Sequence, residues 1–154
     1  MIRSMKLFSM FATVFALALS PAAFAAEIER QGEGRLFFTT ITIPANAETL
    51  YVSGSGASQL EDGTWGDTAQ QATNTFEKFK ATLENAGWSM SDIVQVRVFG
   101  VAGKFNFAEF NEAYLKFFGT EENPQKPVRS VVEVAAMVVD GWVLEIEIRA
   151  ARVK

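Results

Sequence analysis

Two stretches of this sequence carry the groups best suited to chemistry. In Lys126-Pro-Val-Arg-Ser-Val-Val-Glu-Val134 a guanidinium stands two residues after a proline, at the mouth of an otherwise apolar run. In Val143-Leu-Glu-Ile-Glu-Ile-Arg149 two carboxylates alternate with aliphatic residues. An arginine such as Arg129 can grip a ligand carboxylate through two parallel N–H···O bonds, and a carboxylate such as Glu145 can hold and polarise a water molecule. The chain contains neither histidine nor cysteine. Thiol catalysis, imidazole base catalysis and the usual zinc and copper ligands are therefore excluded. Chemistry is left to carboxylate, guanidinium, hydroxyl, amide and backbone groups.

Local patterns outline the elements that must position these groups. Leu36–Ile43 is rich in β-branched and aromatic residues and stops at Pro44, so it reads as a strand; Thr49–Ser53 reads as a second, expected to pair with it across the Asn46-Ala-Glu48 turn. After a glycine-rich loop, Asp67 is a good N-cap with Gln70 three residues on, and Ala69, Ala72, Phe76, Phe79 and Leu83 recur at helical spacing up to Gly87. Ile93–Phe99 alternates as a half-polar strand. Phe107, Phe110, Tyr114 and Phe117 form the apolar face of a second helix, stopped by Gly119. Asn123-Pro-Gln-Lys-Pro127 is a rigid connector. Two last strands, Arg129–Val139 and Trp142–Ala150, flank Asp140-Gly141, the dipeptide that favours a two-residue hairpin turn. The order ββαβαββ predicts an α+β sandwich of two layers, with both helices on one face of a mixed sheet. The other face would carry Gln95, Arg97, Glu145, Glu147 and Arg149 beside Val143, a mixture suited to packing against other subunits.

The expected hairpin sets a geometric problem for the two reactive groups. With Asp140-Gly141 as the turn, Glu145 falls opposite Ala136, seven residues from Arg129, which is roughly 23 Å along the strand and on the opposite face. Within one chain the pair cannot meet. Either the two groups are unrelated or they meet between two copies of the chain.

The N-terminal residues read as a leader rather than as part of the fold. Arg3 and Lys6 precede the apolar run Leu7–Leu19, and Ala23-Phe-Ala25 is a small-x-small cleavage site, so residues 1–25 are expected to be a cleaved signal peptide and 26–154 a single domain, periplasmic or secreted. Without the leader, 12 basic residues face 18 acidic ones. That sign argues against nucleic acid and against an anionic membrane surface as partners.

Several ordered pieces together resemble the Rid family of reactive-intermediate deaminases, also called the YjgF family. They are LYVSG (Leu50–Gly54), FEKFKATLENAGWSMSDIVQVRVFG (Phe76–Gly100), FAEFNEAYLKFF (Phe107–Phe118), PVRSVVEVAAM (Pro127–Met137) and LEIEIRA (Leu144–Ala150). The resemblance implies a chorismate-mutase-like sandwich, a homotrimer with ligand sites between subunits, no metal or organic cofactor, and hydrolysis of imines or enamines of amino acids to 2-oxo acids and ammonia. It further implies that Arg129 binds the substrate carboxylate, that Glu145 orients or activates the attacking water, and that the backbone around Val131 helps to place it. Ser53, Gly54 and Asn111 match positions lining the family's pocket. Histidine is dispensable for such chemistry because an imine carbon is already electrophilic, leaving the protein mainly to position it. The family's Gly-Pro-Tyr segment has no counterpart; Arg35-Leu-Phe-Phe38 stands there, and Phe38 lacks the hydroxyl.

Other readings have less support. A non-catalytic binder of small carboxylates would use the same cleft and Arg129 without turnover, and a structural or chaperone-like role rests only on the mixed sheet face. Ser53-Gly-Ser-Gly56 is not followed directly by a helix, as a phosphate loop would be, and Glu121-Glu122 lacks convergent oxygen ligands for a cation.

Overall fold

The protein is described by a computed structural model covering residues 27–154. The expected leader and its cleavage point lie outside the described residues. Among the described residues six strands and two α-helices follow in the order β1 (Glu29–Glu33), β2 (Phe38–Thr42), β3 (Glu48–Ser55), α1 (Thr68–Asn85), β4 (Ile93–Val101), α2 (Phe107–Tyr114), β5 (Val128–Val134) and β6 (Leu144–Arg152), with a single 3-10 turn, Met90–Asp92, leading into β4. This is the expected ββαβαββ order with one strand added in front.

Both helices lie on one face of a four-stranded sheet. Helix α1 begins where the sequence places it, since Asp67 accepts from the Gln70 amide at 2.8 Å while the Gln70 side chain accepts from the Asp67 amide at 2.9 Å. This reciprocal bonding satisfies two donors that the first turn leaves unpaired. Its apolar stripe, Ala72, Phe76, Phe79 and Leu83, is fully buried with Phe110, Tyr114 and Phe118 against Val96, Val98, Leu144, Ile146 and Ile148. The Phe76 ring stands at the centre of this layer, with the rings of Phe110, Tyr114, Phe117 and Phe118 between 5.1 and 6.2 Å away. Helix α2 is shorter than its apolar spacing predicts, ending at Tyr114, yet Phe117 still reaches Phe76 from the turn that follows.

Strand pairing departs from the local expectations in two places. The sheet order is β3-β6-β4-β5, so β4 separates the two strands expected to form a hairpin; β5 runs parallel to β4 and β6 antiparallel to it. Asp140-Gly141 does make a turn, with Gly141 at φ 91°, but it joins strands that never pair. The reason is tertiary. Buried Gln71 donates to the carbonyls of Gly66 and Gly141 and accepts from the Val143 amide, so the segment after β5 is bonded to α1 instead of continuing a ladder. Central placement also buries Leu144, Ile146 and Ile148 of β6 beneath the helices, which an isolated hairpin would leave uncovered.

The second departure is that β2 pairs with β1 in a separate two-stranded sheet rather than with β3. Strand β1, Glu-Arg-Gln-Gly-Glu, is mostly exposed and has no apolar alternation to betray it.

Candidate functional site

Strand β5 forms one edge of the sheet, and its register on β4 decides where each side chain points. Arg129 lies opposite Val96, whose side chain is completely buried beneath the helices, so the guanidinium turns toward the helix layer. There it is enclosed by rings, with the centroids of Tyr114, Phe110, Phe37 and Phe107 at 4.7, 5.5, 5.7 and 5.8 Å from its central carbon. Its Nη1 donates to the Asn111 side-chain oxygen at 2.9 Å. No carboxylate lies within ion-pair distance of it among the described residues. Burial lowers the Arg129 pKa from its ordinary value, which means that part of the cation's hydration has been removed without an anion to replace it. The Tyr114 phenol is pushed up by the same burial, and it keeps its proton to donate to the Leu36 carbonyl at 2.8 Å.

The guanidinium opens into a cleft of about 380 Å³, walled by Phe37, Phe105, Phe107, Val131 and Val132, with Glu133 at its rim. Phe105 fits because Gly100 has no side chain, and a Cβ there would fall on the ring. The ring that reaches Arg129 from the N-terminal segment is that of Phe37. Phe38, expected at this place, instead turns to Lys126, whose ammonium lies 5.7 Å from its centroid.

Glu145 belongs to the other face. It lies opposite Phe99 on β4, three residues beyond Val96, and so points away from the helices. Gly54 sits directly against it, and a Cβ at Gly54 would collide with the Glu145 carboxylate. Ser53, exposed, belongs to the same irregular stretch of β3, where the register with β6 shifts between Val52 and Ser55. The named residues thus fall into two groups: Arg129, Asn111 and Val131 on the helix side, and Glu145, Gly54 and Ser53 across the sheet. The separation expected from a hairpin is corrected here. Two strand spacings across and three residues along place Arg129 and Glu145 roughly 14 Å apart, closer than 23 Å but still on opposite faces.

The open face around Glu145 is mixed as expected. Tyr51 is 68% exposed, Arg149 stacks over it at 4.8 Å, and Glu147 lies within 4 Å of both Arg97 and Arg149. Among the described residues no three acidic side chains converge as metal ligands, Glu121 and Glu122 included.

The site is thus a ring-caged arginine on the edge strand of a two-layer α+β sandwich, with a carboxylate on the sheet's open face. The chain belongs to the family described as endoribonuclease L-PSP, whose model matches residues 40–152. It is 35% identical over 135 residues to the 2-iminobutanoate/2-iminopropanoate deaminase of Escherichia coli strain K12, covering 88% of this chain and 92% of that protein. A RutC family protein of Haemophilus influenzae is also 35% identical, over 86% of this chain and 92% of its own. Among solved structures, the YjgF gene product of E. coli superposes with a TM-score of 0.59 at 35% identity, covering 68% of this chain and 80% of that one.

Proposed function

We propose that the protein hydrolyses 2-imino acids, or the enamines in equilibrium with them, to 2-oxo acids and ammonia, at sites built between the subunits of a homotrimer. The observation that carries this reading is the half-buried Arg129 cation, which faces an open cleft with one neutral hydrogen-bond partner and, among the described residues, no carboxylate within ion-pair distance. A ligand carboxylate supplies the missing charge and two strong hydrogen bonds. Glu145 of a neighbouring copy supplies the water partner that the Arg129 face lacks. In the reaction Glu145 takes a proton from water as its oxygen bonds to the imine carbon. Glu145 returns that proton to the imine nitrogen, giving a carbinolamine, which collapses to a 2-oxo acid as its hydroxyl proton passes to the nitrogen, the carbon–nitrogen bond breaks and ammonia leaves. The activity in the name of the E. coli relative, similar over most of the chain, supports the same chemistry.

The same geometry supports an assembly of several copies. Arg129 and Glu145 can share a ligand only between copies, and the open face mixes exposed Tyr51 and Val132 with paired charges, as a subunit interface does. Residues 1–25 are read as a cleaved leader, which places the reaction in the periplasm or outside the cell. The test is ammonia release from imines generated in situ by an amino-acid oxidase, measured against the spontaneous rate. Release no faster than the spontaneous reaction removes the hydrolase reading. The small-carboxylate binder would then replace it, favoured by the absence of Glu145 from the Arg129 cleft of a single chain.

A further inference from the structure

The walls around Arg129 are more apolar than a ligand consisting of little besides a carboxylate and an imine would need. Two of the large hydrophobic side chains left exposed, Phe37 at 41% and Phe107 at 50%, flank this one cleft. Concentrating exposed apolar surface beside a guanidinium suits a ligand with a charged head and a greasy tail.

The Phe37 wall is held in place. Lys126, 8% exposed, donates to the Gly34 carbonyl at 2.8 Å and pairs with Glu33 at 2.7 Å, while the Tyr114 hydroxyl donates to the Leu36 carbonyl at 2.8 Å. The backbone on the N-terminal side of Phe37 is therefore clamped by two buried side chains, and a tight turn from the Gly34 amide to the Phe37 carbonyl at 2.9 Å closes it. One of those clamps, Tyr114, also stacks on Arg129, so the position of the wall is tied to the position of the charge. Besides Arg129, the one charged residue lining the cleft among the described residues is Glu133. An anionic tail would meet that carboxylate.

We propose that the cleft selects 2-imino acids with bulky apolar side chains, branched aliphatic or aromatic, over those with small or acidic ones, and that Phe37 and Phe107 are the residues that determine this specificity. The inference rests on the reading of Arg129 as the carboxylate clamp. In one chain the cleft of about 380 Å³ lies within the range of small-molecule pockets, about 300–1,000 Å³.

The experiment compares imines derived from alanine, leucine, phenylalanine and glutamate, each generated in situ, by kcat/KM for ammonia release. Binding of the four corresponding 2-oxo acids is measured in parallel by calorimetry. The leucine- and phenylalanine-derived imines are expected to exceed the alanine-derived one by about tenfold or more, as burial of several additional methylenes allows, with the glutamate-derived imine lowest. Phe37→Ala and Phe107→Ala should bring the leucine-to-alanine ratio toward one, and Phe37→Leu should keep most of it. Hydrolysis of the alanine-derived imine as fast as the leucine-derived one by wild type overturns the specificity while leaving the hydrolase reading intact, whether or not any variant folds. Failure to hydrolyse any imine or to bind any 2-oxo acid overturns the clamp itself and the specificity with it.

Discussion

Mixing an Arg129→Ala chain with a Glu145→Gln chain is expected to restore imine hydrolysis that neither supports alone. The two groups stand roughly 14 Å apart on opposite faces of one sheet, so a site using both must draw them from different copies. In a ring of three, each site would take its arginine from one subunit and its carboxylate from the next. After random reassembly of equal amounts, a site is intact when a Glu145→Gln copy provides the arginine and an Arg129→Ala copy provides the carboxylate. That happens in about a quarter of sites for a head-to-tail ring. Each variant alone should lose roughly 10²-fold or more, the usual worth of a positioned acid or base for Glu145 and of a charged hydrogen-bond partner for Arg129. Recovery to about a quarter of wild type thus stands far above either parent. The assay is ammonia release after co-refolding, with light scattering to verify that every preparation is trimeric and a chain carrying both substitutions as the inactive control. Mixed trimers no more active than the parents would refute the split site. A fully active monomer would refute it as well.

Three further outcomes follow from the same structure. Arg129→Ala should weaken binding of a small 2-oxo acid by about 2–3 kcal/mol, roughly 30- to 150-fold, while Arg97→Ala on the other face leaves it unchanged; calorimetry at fixed ionic strength distinguishes them. Gln71→Leu should lower stability by about 2–4 kcal/mol, because the Val143 amide and the Gly66 and Gly141 carbonyls lose their buried partner, and a urea midpoint near wild type would contradict that role. Intact mass of the protein recovered from a periplasmic fraction should correspond to a chain beginning at Ala26, and retention of Met1 would remove the export reading.

Elements built from neighbouring residues were legible in the chain itself. The Asp67–Gln70 capping box, the stripe from Ala72 to Leu83 and the alternation of β4 and β6 each express a preference satisfied within a turn or two of backbone, and each appears where its pattern places it. The arginine was legible too, as a charge in an apolar strand; that it faces away from Glu145 is set by the registers of β5 and β6 on β4, not by the hairpin from which it was expected. What surrounds the arginine was not. Its cage comes from Phe37, Phe107, Phe110 and Tyr114, residues up to 92 positions away. Whether Phe37 or its neighbour Phe38 faces the cleft depends on the clamps from Lys126 and Tyr114. Strand pairing was decided at the same level. Asp140-Gly141 carries a strong local preference for a hairpin, yet β6 gains two partners and a helix cover by crossing to β3 and β4, and the summed burial of Leu144, Ile146 and Ile148 outweighs a single turn's preference. Local sequence determined what each segment is and which way its side chains alternate; the tertiary structure decided which segments lie side by side, because pairing energy is collected from residues distant in the chain and cannot be read from any one of them.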